Sequence, residues 1–296
     1  MMNITEWCDT KIEHHNTNSI DKSCVVVIPA YKNDLLKSEE CALKQVVKVL
    51  GKKYEIVLVC PPSLDIDQYN NCANYSFSFM RCSNAFFKSQ KTYSDLCEHW
   101  KFYNTFNDYV YMLLYQLDAW IFEDRLDYFV KMGYDYMGAP HLIGFGGRKE
   151  GENGNGGFSL RKIKTFIDVC KKTDFSKIPP GQLEDCAFTQ VLKNHFNLAP
   201  LNICRQFSFQ DMPSTQYQKN GNKLPMGCHA WKKFNSTFWR KYIPEEAWVP
   251  SKTKKEAGNI ISAIYGDDVV MNLKRKIEKT GNSAIVNKKV LIRKFR

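Results

Sequence analysis

The sequence predicts an α/β fold: a mixed, mainly parallel sheet flanked by helices. Three apolar runs carry that prediction, namely Cys24 to Ile28, Glu55 to Cys60 and Tyr109 to Tyr115. Each is too short for a helix and almost unbroken in its apolar character, the pattern of a strand covered on both faces. Between the first two, Leu36, Leu43, Val46, Val47 and Leu50 recur at helical spacing, and Gly51 follows as a C-cap. Strand, helix and strand in that order form a βαβ unit with parallel strands.

Residues 1–22 are polar and read as a poorly ordered leader. Their opening lacks the apolar core of a signal peptide, and no apolar run reaches the length of a membrane span, so a cytoplasmic protein is expected. The first strand ends at Pro29 and the second at Pro61-Pro62. A third short strand is expected over 77–81. Leu96, Trp100, Tyr103 and Phe106 then mark one helix over 94–106, which leads into the strand ending before Gln116-Leu117-Asp118. Further on, 134–138 is a strand, 140–157 a glycine-rich loop, 162–172 and 183–196 helices, and 201–209 a strand. One domain is expected over 23–245, with a helical, basic extension over 246–296.

A hydrophobic content of 44% is enough for a sizeable core and argues against wholesale disorder. The 11 cysteines are scattered, odd in number and without a CxxC pair, so neither a disulfide framework nor a zinc cluster is indicated. The net charge of +11 is concentrated at one end: residues 274–296 hold nine basic side chains against the single acidic Glu278. On charge alone such a tail suits an anionic membrane surface or nucleic acid, or is simply a solvated end. The body is nearly neutral and carries no helix-turn-helix, zinc-finger or RNP pattern, so no nucleic-acid partner is expected.

Asp118 stands at the carboxyl end of a buried strand, where open α/β sheets bind ligands; it either serves there or caps a turn. Gly156-Gly157 lets backbone approach a ligand closely, and no GxxxxGK[ST] phosphate loop is present. Glu184-Asp185 stands at a helix start, which by itself complements the helix dipole. Lys88 and Lys91 precede a helix whose N-terminus could hold phosphate, or are solvated surface lysines. Trp231, Tyr217 and Trp120 are either sugar-stacking or core aromatics.

Taken in order, IPAYK (28–32), YQLDA (115–119), YDYMGAP (134–140), GNGGFSLRK (154–162) and NGNKLPMGCHAW (220–231) resemble the GT-A superfamily of nucleotide-sugar glycosyltransferases. The nearest likeness is to a bacterial subgroup described as a domain of unknown function, and it covers roughly 24–243. In such enzymes a DxD motif holds a divalent metal on the donor diphosphate. Here Gln116-Leu117-Asp118 keeps only the final carboxylate. The resemblance implies Asp118 and His229 as metal ligands, and imidazole favours Mn²⁺ over Mg²⁺. It implies Pro29, Ala30 and Tyr31 at the base and ribose, and Asn155, Gly156, Gly157 and Phe158 at the floor of the sugar site. Gln116, Lys91 and Trp231 complete the expected donor contacts. Asp185 matches the catalytic base of inverting members, with Glu184 beside it on sugar hydroxyls. The implied activity is transfer of one sugar from a nucleotide donor, a UDP-sugar, to a surface glycan or lipid-linked acceptor at the inner membrane face. A non-catalytic sugar- or nucleotide-binding module on the same fold is the alternative, favoured by the missing first carboxylate. A nucleotidyltransferase should instead show a basic, glycine-rich loop where Pro29-Ala30-Tyr31 stands.

Overall fold

The computed structural model describes residues 11–15, 20–142 and 154–249. Its strands in chain order are β1 (Ile12–Glu13), β2 (Cys24–Pro29), β3 (Ile56–Cys60), β4 (Ser78–Arg81), β5 (Tyr111–Tyr115), β6 (Ala119–Ile121), β7 (Tyr136–Gly138), β8 (Phe158–Lys162), β9 (Ser208–Phe209) and β10 (Gly227–His229). Its helices are α1 (Lys37–Leu50), α2 (Ile66–Ala73), α3 (Gln90–Cys97), α4 (Trp100–Asn104), α5 (Leu126–Lys131), α6 (Ile163–Lys172), α7 (Glu184–Cys186), α8 (Leu201–Phe207), α9 (Pro213–Lys219) and α10 (Ser236–Trp239).

Seven strands form the central sheet in the order β1-β4-β3-β2-β5-β8-β7. The four in the middle, β4 to β5, run parallel, whereas β1, β8 and β7 add antiparallel edges. The three apolar runs are the three central strands, and every residue of β2, β3 and β5 is buried. Alternate side chains enter two cores: Val26, Ile28, Leu58 and Leu113 face one, Val25, Val27, Val57 and Met112 the other. α1 packs on the first of these with Leu43, Val46 and Leu50, the helical stripe read from the sequence. Glu39 reaches back to accept the Leu36 N–H at 2.8 Å and so helps start the helix.

A smaller sheet in the order β6-β10-β9 springs from the end of β5. It is backed by a third apolar cluster containing Trp120, Trp231, Trp239 and Trp248. Ala247 and Trp248 are buried in that cluster against Cys41 and Ala42 of α1, so the folded body runs past the boundary expected at 245. The rest of the basic extension, from residue 250 on, lies outside the described residues.

Four local expectations are corrected. Part of the leader is an edge strand: β1 pairs Ile12 with Met80, and His14 Nδ1 sits 2.6 Å from Glu55 Oε1. The single helix expected over 94–106 is two, α3 and α4, because His99 Nδ1 accepts the Lys101 N–H and starts a new turn. The expected helix 183–196 is the short α7, then a π turn over 187–191 and a 3-10 turn over 193–195. There the Thr189 hydroxyl donates to the Asp185 carbonyl at 2.6 Å, local side-chain competition that disturbs regular helix. The expected strand 201–209 is mostly α8: Pro200 leads into it, and Cys204 and Phe207, three apart, face the core.

The ten cysteines among the described residues are free thiols. None of the described helices is long and apolar enough to cross a membrane.

Candidate active site

β2 has β3 on one side and β5 on the other, and the chain reaches β5 only after building β3 and β4. Strand order therefore reverses beside β2, and the crevice at such a switch point is where open α/β sheets hold ligands. A cleft of about 430 Å³ opens there, lined by Pro29, Tyr31, Lys32, Lys88, Gln116 and Asp118 among others. At its edge Tyr31 stacks on Phe87 with ring centroids 6.1 Å apart, and 55% of Tyr31 is exposed. Lys32 is ion-paired with Glu39, and Lys88 is exposed.

At the end of β5, Gln116 N–H donates to the Gly157 carbonyl at 2.8 Å and Ala119 N–H donates to the Gln116 carbonyl at 2.8 Å. This tight turn throws the chain out of the large sheet into β6 and leaves Asp118 at the cleft. Antiparallel pairing of β6 with β10 sets His229 opposite Ala119. His229 Nε2 thereby comes 3.0 Å from Asp118 Oδ1 and 3.1 Å from Gln116 Oε1. Its Nδ1 lies 2.8 Å from Oε1 of Gln210, which directly follows β9. A Cβ built on Gly157 would overlap the imidazole, so glycine is what lets the ring lie against that backbone.

Asp118 lies at the open cleft, with 56% of its side chain accessible. Desolvation works to raise its carboxyl, but the adjacent imidazole outweighs this and holds it below the ordinary carboxylate range. Among the described residues no three His, Cys, Asp or Glu side chains group into a metal site. A cation here would rely on one carboxylate, one imidazole and the Gln116 amide oxygen. The mixed nitrogen and oxygen set suits a transition metal.

Behind the glycine pair lies a buried charged layer. Asn155 Oδ1 accepts the Gly157 N–H at 3.0 Å, and Asp185 Oδ2 accepts the Gly156 N–H at 3.3 Å. Asp185 Oδ1 accepts the Cys186 N–H at 2.8 Å. Glu184 turns into the protein: its Oε1 meets Arg161 Nη2 at 3.3 Å and its Oε2 accepts from Ser94 Oγ at 2.9 Å. Desolvation, and next the charge of Asp185, push the Glu184 carboxyl up against the pull of Arg161. Arg161 is fully buried and also donates to Ser159 Oγ at 3.0 Å and Tyr103 OH at 2.9 Å.

The fold therefore brings Pro29, Tyr31, Gln116 and Asp118 to one cleft, with His229 in contact with its floor. Asn155, Gly156, Gly157, Glu184 and Asp185 form the layer next to it. Four expected donor residues sit elsewhere. Ala30 is in the core, its N–H donating to Val59 O. Phe158 is buried among Tyr115 and Phe207, and Gly227 leaves it room. Trp231 is 1% exposed and packs edge-on against Trp120 and Trp248, which leaves no face for a sugar. Lys91 is held by Asp95 and Glu98, the latter pushed up to about 7 by burial, while Lys88 joins Lys32 in lining the cleft. Sequence reasoning missed Gln210, Ser94 and Arg161 as site residues. Only Arg161 carried a signal, a charge within the short strand that directly follows the glycine pair.

A family model described as "Protein of unknown function (DUF5672)" matches residues 76–229. The chain belongs to this family. The matched span holds the Gln116-Leu117-Asp118 turn, the glycine pair, Glu184-Asp185 and, at its very end, His229, whereas Pro29 and Tyr31 of the cleft lie before it. No curated protein matches the chain. Among solved structures, the bifunctional glycosyltransferase WbbM is similar at a TM-score of 0.51 and 12% identity, over 81% of this chain and 51% of that one. The galactosyltransferase LgtC, solved with donor and acceptor sugar analogs, is similar at 0.49 and 13%, over 79% and 99%. GlyE of Streptococcus pneumoniae TIGR4 is similar at 0.46 and 14%, over 71% and 54%. This DUF5672 chain thus spans about half the length of WbbM and of GlyE. The WbbM likeness, together with the sheet order and switch-point cleft, establishes a GT-A fold.

Proposed function

We propose that the protein is a metal-assisted glycosyltransferase that moves one sugar from a nucleotide donor, a UDP-sugar, to a glycan acceptor with inversion at the sugar carbon. The observation that carries this reading is the meeting of Asp118, Gln116 and His229 Nε2 at the switch-point cleft, one glycine pair away from Asp185.

In this reading Pro29 and Tyr31 hold the base and ribose, with Tyr31 offering an exposed aromatic face for stacking. Asp118 and His229, with Gln116, would hold a divalent cation, Mn²⁺ rather than Mg²⁺, which as a Lewis acid would stabilise the charge gathering on the departing diphosphate. Lys88 adds positive charge at the cleft wall. A unit cation and anion about 4 Å apart attract by ~4 kcal/mol at an effective dielectric of 20, roughly three powers of ten in rate where the attraction grows only in the transition state. Asp185 takes the proton of the acceptor hydroxyl, which is a weak nucleophile until a carboxylate does so. Glu184, engaged by Arg161 and Ser94, holds the wall that positions Asp185, in place of the sugar-hydroxyl role first expected for it.

The direct test is a melting-temperature screen of the protein against nucleotide sugars with and without Mn²⁺, followed by assay of released UDP. A native-state ligand raises the midpoint in step with its concentration and affinity. A UDP-sugar should stabilise the protein more with Mn²⁺ present, and free UDP should accumulate slowly; Asp118→Asn should remove the Mn²⁺ increment. No response to any nucleotide sugar would end this reading. A second reading, a non-catalytic nucleotide-sugar-binding module, is favoured by the single carboxylate at 118, and stabilisation without turnover on any glycan acceptor would select it.

The basic surplus over 274–296 supports a lipid-linked acceptor and a peripheral position on an anionic membrane face. Each basic residue near such a surface contributes about 1 kcal/mol. Deleting 274–296 should therefore abolish sedimentation with phosphatidylserine vesicles at moderate salt and leave UDP binding intact. Equal sedimentation of the truncated chain would discard the membrane role.

A further inference from the structure

His229 presents both ring nitrogens to oxygen, and the two sides differ in character. Nε2 faces Asp118 Oδ1 at 3.0 Å and Gln116 Oε1 at 3.1 Å, at the solvent-open cleft. Nδ1 faces Gln210 Oε1 at 2.8 Å, in the interior, where Gln210 is 7% exposed. A buried amide oxygen needs a donor, and the Nδ1–H supplies it; an unprotonated Nδ1 would set two lone pairs against each other. The proton on Nδ1 is therefore fixed. Nε2 is left facing the cleft, where it and the two oxygens would share a cation.

The backbone makes this arrangement stiff. β9 and β10 are parallel partners, with Phe209 opposite Cys228, so the next residue on each strand, Gln210 and His229, emerges side by side. Gly157 lies directly against the imidazole, where any side chain on it would overlap the ring.

We infer that Gln210 is a positioning residue: its amide oxygen holds the His229 proton on Nδ1 and aims Nε2 at the space shared with Asp118 and Gln116. The inference rests on the metal-assisted reading above and deepens it. Partners on the second nitrogen of a metal-binding histidine fix its tautomer and raise its basicity, and their loss typically lowers metal affinity by about 10–100-fold. Gln210 touches neither donor nor acceptor in this scheme and acts only through His229.

The test measures Mn²⁺ affinity directly, from the loss of the free-ion EPR signal on titrating the full chain, alone and with UDP. Gln210→Leu, close in size but unable to accept, should bind Mn²⁺ about 10–100-fold more weakly than wild type. Gln210→Glu, which accepts more strongly, should bind at least as tightly as wild type. Gln210→Met replaces the leucine variant should that one not fold, and melting midpoints identify folded variants. Wild-type binding lost in His229→Ala, weakened in Gln210→Leu and kept in Gln210→Glu would support the inference. Wild-type affinity in Gln210→Leu, within about twofold, would overturn the role of Gln210 while the metal reading stood. Equal weakening in the leucine and glutamate variants would assign Gln210 to packing and overturn it too. A wild-type protein that takes up no Mn²⁺ even with UDP would remove the metal reading and the inference together.

Discussion

Replacing Asp185 with asparagine is expected to lower sugar transfer by about 10²–10⁴-fold, the usual contribution of a positioned general base, while UDP affinity stays within about twofold of wild type. The separation of the two effects follows from geometry. Asp185 lies on the far side of Gly156-Gly157 from His229 and Asp118, so the donor diphosphate makes its contacts without it. Asparagine cannot fully replace the carboxylate structurally, because Asp185 accepts from both Gly156 N–H and Cys186 N–H. One of those donors would then face an NH₂ group, at a stability cost of roughly 1–3 kcal/mol. Melting midpoint and UDP titration must therefore accompany the rate measurement. A variant that melts lower yet transfers sugar at the wild-type rate would remove Asp185 from the reaction. If transfer and UDP binding fell together, its role would be structural.

The largest stability effect is expected at Arg161, an arginine with no solvent exposure inside β8. Arg161→Met should destabilise the protein by about 3–5 kcal/mol, since removing one partner of a buried ion pair leaves the other charge uncompensated. For a domain of this size that is a fall in melting midpoint on the order of 10 °C. The loss should depend on pH in a defined direction. Desolvation and Asp185 already raise the Glu184 carboxyl, and without Arg161 it rises further. A carboxyl whose folded pKa lies above its unfolded value lets the folded state hold the proton. Its favourable contribution is complete below the unfolded pKa and disappears as pH climbs through the folded one. The Arg161→Met penalty should therefore be smaller at pH 5 than at pH 8, and Arg161→Met with Glu184→Gln should recover much of it. A penalty independent of pH, with no recovery in the double variant, would show that Arg161 matters through its packing on Tyr136, Phe166 and Phe188 and not through its charge.

The contrast between Lys88 and Lys91 shows why some site residues were legible and others were not. Both stand at the start of α3 and look alike in sequence. Along the helix Lys91 meets Asp95 one turn on and Glu98 two turns on, whereas Lys88 falls at the cleft wall. Trp231 fails similarly: its motif is specific, but aromatic rings at that spacing serve a core as readily as a sugar, and here four tryptophans close the third apolar cluster. Short apolar stretches are ambiguous for the same reason. LNICRQF satisfies both strand and helix spacing, and its neighbours made it α8.

By itself the sequence determined the parallel centre of the sheet, the helix laid across it and the carboxylate at the end of β5. Strands covered on both faces must be nearly continuous apolar runs, and few other structures tolerate them. It also marked the glycine pair, because backbone that must lie against an imidazole admits no Cβ. Only the tertiary structure decided that His229 meets Asp118, that Gln210 stands behind it, and that Arg161 answers Glu184. Those meetings depend on strand pairing and on the sharing of buried charge between segments far apart in the chain, and no local periodicity records either.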